Sequence, residues 1–253
     1  MDGTLTLQRL THALDAWFLD HIDLSDVHPP SEENLRNNFL TRALAAFCIT
    51  SLTGVDPATV AQAITDGFND GGMDAIYFDA REKTLYIVQA KWSKNATKTI
   101  EEGDCCKYIK GIEALIRADF SGFNERIRKR EAELRANLLL RSDVRVVLVV
   151  AYTGPQDLTE PVKKSLSDFL QRENNVGEQE VFILESLNLK RLYRNLTGSA
   201  SGKKIDMSIV LKDWGAMENP YRAVYGSMKL SDIAAWGSTA SPYSREIYDS
   251  SEA

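Results

Sequence analysis

Leu7, Leu10, Leu14, Trp17, Phe18 and Ile22 recur at mostly three- and four-residue spacings among polar residues, which predicts an amphipathic helix over Leu5 to Ile22. Val27-His-Pro-Pro-Ser31 ends the pattern, because paired prolines preset extended or turn backbone. Ser31 then starts a second helix, with Glu32, Glu33 and Asn34 in its first turn and Leu35, Phe39, Ala43, Ala46 and Phe47 as its buried stripe. Asp56-Pro-Ala-Thr-Val-Ala-Gln-Ala-Ile64 opens a short third helix, with Asp as cap and Pro at the first position. From there the period changes. Met73, Ile76 and Phe78 mark a strand, Ala80 to Lys83 a polar hairpin loop, and Leu85-Tyr-Ile-Val-Gln-Ala-Lys91 a second strand that begins apolar and turns polar. A two-residue period puts Leu85, Ile87, Gln89 and Lys91 on one face, and antiparallel pairing brings Asp74 towards Gln89 and Lys91.

Further along, Glu101 to Asp119 reads as a helix with Cys105, Tyr108, Ile109, Ile112, Leu115 and Ile116 inward. Phe123 to Leu140 reads as another, its outer face carrying Arg126, Arg128, Lys129, Arg130 and Arg135. Val144 to Ala151 is a valine-rich buried strand, Glu160 to Gln171 a helix, Val181 to Leu184 a strand and Leu187 to Leu196 a helix. Strand and helix alternation of this kind belongs to an α/β sheet. Gly198 to Lys204 reads as a linker and Ile205 to Leu211 as a strand. Beyond them Tyr221, Val224, Tyr225, Met228, Leu230, Ile233 and Trp236 are apolar enough to dock on something before a polar tail. The expected division is an amino-terminal helical segment (1–30), a main domain (31–197) and a carboxyl-terminal docking or dimerisation extension (204–253).

Composition narrows the class. With 253 residues, 43% hydrophobic and 26% charged, the chain reads as an ordinary soluble domain with a substantial core, and no run is long enough to cross a bilayer. The amino terminus lacks the basic and apolar regions of an export signal, and Cys48, Cys105 and Cys106 fit neither complete pairing nor a zinc spacing, so a reducing cytoplasm is expected. Three histidines lie far from the hairpin, which argues against a His-based metal site or triad. A net charge of −6 argues against a nucleic-acid coat protein but leaves a nuclease open, since such enzymes set a local basic surface beside an acidic site.

The candidate chemistry sits in the hairpin. A hard divalent cation takes oxygen ligands, and Asp74, the Gln89 side-chain carbonyl and the Ala90 main-chain carbonyl offer three. Lys91 then stands beside the activated water or the scissile phosphate as a stabilising charge. Asp66 and Asp70 lie close by as turn caps, with Asp70 also placed to orient Asp74 or Lys91. The polar segment after Lys91 offers Lys94 and Lys98 to phosphate, while Trp92 either stacks on a base or closes the core beneath the site. Arg126, Lys129 and Arg130 form either a solvated helix face or a nucleic-acid patch.

Gly71-Gly-Met-Asp74 followed by Gln89-Ala-Lys91 resembles the PD-(D/E)XK nuclease superfamily, in the Mrr-like branch where Gln replaces the acid before Lys. Asp66-Gly-Phe-Asn-Asp-Gly-Gly-Met-Asp74, Glu102-Gly-Asp-Cys-Cys-Lys-Tyr-Ile-Lys-Gly111 and Val149-Val-Ala-Tyr-Thr-Gly154 are similar to successive blocks of the AIPR abortive-infection phage-resistance proteins, over roughly Leu35 to Gly226. The resemblance implies a restriction-endonuclease-like α/β core, a central mixed sheet flanked by helices, and a Mg²⁺-dependent endonuclease in which Mn²⁺ substitutes. It implies DNA ahead of RNA as substrate, a role in defence, and a homo-oligomer or a defence-system partner. It also implies a further acid from a preceding helix, for which Glu33 is the candidate and Glu32 the fallback; both are equally explained as helix amino-terminal charges. Two competing expectations are a nucleic-acid sensor that has lost catalysis and a regulatory subunit docking through its carboxyl-terminal segment.

Overall fold

The computed structural model describes residues 3–28, 31–175, 180–201, 210–217 and 223–231. The chain forms two compact units, Met1–Leu196 and Thr197–Ala253. The first is α/β, built on a mixed sheet of β1 (Ala75–Asp79), β2 (Thr84–Lys91), β3 (Arg145–Tyr152) and β4 (Phe182–Leu187), in that spatial order. β1 and β2 are the expected antiparallel hairpin, whereas β2–β3 and β3–β4 are parallel. Parallel neighbours need crossovers, and helices supply them.

Alternation along the strands divides the core in two. Ala75, Val88, Ala90, Val149 and Ala151 face a layer made of α1 (Gly3–Phe18), α2 (Glu32–Thr53), α3 (Pro57–Ala61) and α8 (Leu189–Ser201). Ile76, Leu85, Ile87, Leu148 and Val150 face α4 (Glu102–Ile116), α5 (Glu125–Arg128), α6 (Glu131–Leu138) and α7 (Glu160–Asn174). The predicted face of Leu85, Ile87, Gln89 and Lys91 is therefore the α4 side.

Local chemistry sets the helix ends as expected. The Ser31 hydroxyl accepts the Asn34 N–H at 3.2 Å, and Gly54 closes α2 in the left-handed region with its N–H on Thr50 O. Asp56 caps α3 by accepting the Thr59 N–H at 2.9 Å, ahead of Pro57. α2 is buried more widely than a stripe, with every residue from Arg42 to Ile49 inside, because it lies between α1 and the sheet.

Two expectations need correcting, and one lies largely outside the described residues. The single helix over Phe123 to Leu140 is broken into α5 and α6, because Arg130 leaves helical backbone (φ −101°, ψ 8°). Its guanidinium is tied to Ile76 O at 2.5 Å and to Glu133, and Asn124 starts a fresh turn by accepting the Ile127 N–H. The linker read from Gly198 is helical as far as Ser201, and 202–204 lie outside the described residues. The strand read at Ile205 to Leu211 falls largely outside them as well; the strands described there are β5 (Lys212–Met217) and β6 (Ala223–Ser227), an antiparallel pair in the second unit. Of the docking segment, Val224, Tyr225 and Leu230 are exposed, while Tyr221, Ile233 and Trp236 are not among the described residues. No described helix is long and apolar enough to cross a membrane.

Candidate metal centre

The site forms where the hairpin meets the loop between α3 and β1. Ala75 pairs with Val88, so Asp74 lies one step beyond, opposite Gln89, and its N–H donates to Val88 O at 2.7 Å. The Asp74 carboxylate turns back onto the strand end and accepts the Ala90 N–H at 2.6 Å. The loop before it is held by two glycines in the left-handed region, Gly71 (φ 66°) and Gly72 (φ 78°). A Cβ on Gly72 would stand 2.9 Å from Tyr108 N, and one on Gly111 would stand 2.2 Å from Gly71 O, so loop and α4 pack backbone to backbone.

That close approach gathers carboxylates. Asp66, Asp70 and Asp74 each present an oxygen within 4.8 Å of the others, and this is the only group of three or more potential metal-ligating acidic, His or Cys side chains among the described residues. Burial, then the charges of Asp66 and Asp70, push the Asp74 carboxyl well above its ordinary pKa, against the pull of the Ala90 N–H and Lys107. Asp70, the residue expected to orient Asp74 or Lys91, is one of the three clustered carboxylates and accepts the Gly72 N–H at 2.7 Å and the Lys107 ammonium at 2.6 Å. Burial lowers the Lys107 pKa, but Asp70, with Asp74 and Asp66 behind it, raises it by more.

Gln89 is only 6% exposed. Its amide nitrogen donates to the main-chain oxygen of Asp104 at 3.0 Å, while its Oε1 is buried with no partner. The Lys91 ammonium reaches the Asp104 carboxylate at 2.7 Å. Asp104, in the first turn of α4, thus anchors both signature side chains. A cleft of about 370 Å³ joins these groups: Asp66, Asp70, Asp74, Gln89, Ala90 and Lys91 line it, with Trp92, Asp104, Lys107 and the polar α2 residues Asn37, Asn38 and Thr41.

Behind the cluster, Arg42 is 1% exposed and fully engaged. Its Nε donates to Asp66 at 2.7 Å, and its two terminal nitrogens hold both oxygens of Asp26. Hydrogen bonds to Asp26 and Asp66 outweigh the burial that would lower its pKa, so the guanidinium stays charged.

The other named residues are placed differently. Glu33 is exposed and paired with Lys94 at 2.7 Å, a turn away from the α2 residues that line the cleft. Lys98 is exposed. Trp92 packs on the α2-side core, and its Nε1 is buried without a partner. Arg126 bridges Asp23 and Asp26, Lys129 pairs with Glu125, and Arg130 with Glu133. The sequence pattern does not single out Asp104 and Lys107 as site residues, and it reads Asp66 only as a turn cap; the sequence signals for Asp104 and Lys107 are the acidic first turn of α4 with a lysine three residues on and their place in the 102–111 block.

What fold and site define is an α/β protein with an acidic cleft whose aspartates can hold a metal ion. Comparison with protein-family models, with curated proteins and with solved structures finds no match to this chain.

Proposed function

We propose that the chain is a Mg²⁺-dependent nuclease, cutting DNA in preference to RNA, on a restriction-endonuclease-like core. The observation that carries this reading is the buried, unpartnered Gln89 Oε1 beside three crowded carboxylates. An oxygen left without a partner in a buried site is costly, and so is carboxylate crowding; one hard cation relieves both. Asp74, Asp70, Asp66 and Gln89 are the residues that would hold it, an all-oxygen set suited to Mg²⁺ or Mn²⁺. A cation there supplies Lewis acidity and a nucleophile at neutral pH.

The chain's own residues complete the chemistry. Asp104 holds the Lys91 ammonium at the strand end, where it stabilises charge developing on phosphoryl oxygens. Asn37, Asn38 and Thr41 offer polar contacts to a sugar–phosphate backbone entering the cleft. A helix, an antiparallel hairpin bearing Asp74 and Gln89-Ala-Lys91, a helical crossover and a parallel strand support the Mrr-like PD-(D/E)XK reading. The defence role rests on the AIPR resemblance; a protein partner rests on that resemblance and on the exposed apolar Val224, Tyr225 and Leu230 of the second unit.

Cleavage of duplex DNA, single-stranded DNA and RNA, each with Mg²⁺, Mn²⁺ and chelator, tests the proposal. Lys91→Ala is expected to lower the rate about 10²–10³-fold with an unchanged melting profile; wild-type cleavage by that variant takes Lys91 out of the chemistry, and absence of cation-dependent cleavage of all three substrates ends the nuclease reading. One observation favours a second reading, a sensor without catalysis: Lys91 and Lys107 are both already engaged by carboxylates. Nucleic-acid binding with neither cation binding nor cleavage selects it.

A further inference from the structure

The loop that delivers the carboxylates has a second side. Asn69 and Gly71 line a separate cleft of about 270 Å³ with Gly111, Ala114 and Phe123, and Lys107 lines both this cleft and the acidic one. Its floor is glycine, alanine and aromatic carbon, and Asp119, whose carboxylate accepts the Ser121 N–H and hydroxyl, lines it as well. Lys110, one turn along α4 from Lys107, is exposed at this cleft and makes no ion pair with a described residue.

Phe68 stands out from the same loop at 90% exposure, between Gly67 and Asn69. The segment that presents it is tied down. Asn69 adopts the left-handed region (φ 61°), its carbonyl accepts the Asn124 N–H at 2.9 Å, and the Asn124 amide holds Thr65 O at 2.8 Å. Asp70 accepts the Gly67 N–H at 3.3 Å from the other side of Phe68. A large aromatic held in water by a well-bonded loop, two residues from one cluster aspartate and two from another, is placed to meet a partner that arrives with the substrate.

An apolar floor with Lys110 at its rim, the Asp119 carboxylate turned to Ser121, and an exposed aromatic face beside it matches an unpaired base with its phosphate; bases stacked inside a duplex do not offer that surface. Resting on the nuclease reading, we infer that this second cleft receives an unpaired nucleobase beside the scissile phosphate, with Phe68 stacking on the adjoining base and Lys110 on the backbone. The substrate class is then single-stranded nucleic acid, or an unpaired segment of a longer one.

The test compares wild type, Phe68→Ala and Lys110→Glu for binding a short single strand containing 2-aminopurine and a blunt duplex of the same sequence. DNA and RNA are run in parallel, with Ca²⁺ replacing Mg²⁺, and Mn²⁺ calorimetry is done on each protein. The expected result is tighter binding of the single strand, about tenfold weaker in either variant, with unchanged Mn²⁺ affinity and 2-aminopurine quenching that Phe68→Ala loses. Equal single-strand affinity in all three proteins, or preference for the duplex, overturns the subsite and leaves the nuclease reading standing. That reading falls separately, on absence of cation-dependent cleavage by the wild-type protein.

Discussion

Gln89 brings a neutral amide to a place where three carboxylates already repel one another, and that neutrality has measurable effects. Gln89→Glu adds a fourth carboxylate to the cluster, so the cation-free protein should melt lower while the rise in Tm on adding Mn²⁺ grows. Differential scanning fluorimetry in chelator and in Mn²⁺ reads both, and an unchanged Mn²⁺ response would place Gln89 outside the donor set. Asp74 makes a pH-dependent contribution of definite sign. Its folded pKa lies above the unfolded value of 3.8, so the folded chain binds more protons, and stability from this group falls as pH climbs from 3.8 through the raised value. Above that window the full penalty is present, and a cation held by the cluster would offset it. Asp74→Asn keeps an acceptor for the Ala90 N–H and removes the charge. In chelator at neutral pH it should raise Tm, by roughly 2–4 °C per kcal/mol recovered, and abolish the Mn²⁺-induced rise; a lower Tm in chelator would contradict the account.

The hairpin and the helix caps could be read from sequence because their determinants are local. Alternation over Leu85 to Lys91 sets which side chains share a face, and the short loop from Ala80 to Lys83 sets the register that puts Asp74 opposite Gln89. Ser31 and Asp56 cap by bonds reaching three residues along. Asp104 and Lys107 reach the site because α4 returns across the sheet, a contact that no spacing near the hairpin encodes. The break between α5 and α6 is likewise tertiary: Arg130 bonds to Ile76 O, far away in sequence. The packing of α4 on its loop makes a prediction at this scale. Gly111→Ala improves helix propensity by up to about 1 kcal/mol, yet its Cβ would meet Gly71 O at 2.2 Å. Overpacking of this kind costs about 1–3 kcal/mol, so urea unfolding should show a net loss, and Mn²⁺ affinity should drop because Asp70 and Asp74 flank the displaced glycine. A variant as stable as wild type, with unaltered affinity, would show that the loop and helix have room to part.

At the scale of the molecule, the two-faced core and the α/β class followed from the alternation of strands and helices, and part of the surface charge balance did too. The solvated-face reading of Arg126, Lys129 and Arg130 rests on glutamates one turn away, and Lys129 pairs with Glu125 and Arg130 with Glu133; the bridge from Arg126 to Asp23 and Asp26 is tertiary and has no local signal. Every residue assigned to the acidic cleft lies in the first unit. A chain ending at Leu196 should therefore keep the Mn²⁺-dependent rise in Tm, whatever it loses in self-association measured by light scattering; loss of the Mn²⁺ response with helical content preserved by circular dichroism would tie the second unit to the centre. The lysine at position 107 bears on how the cleft balances its charge. Its ammonium sits on Asp70, so the acidic pocket carries a tethered counter-charge of its own. An ion entering there would exchange with that counter-charge instead of filling a void, and uptake and release would be a swap that leaves the scaffold standing.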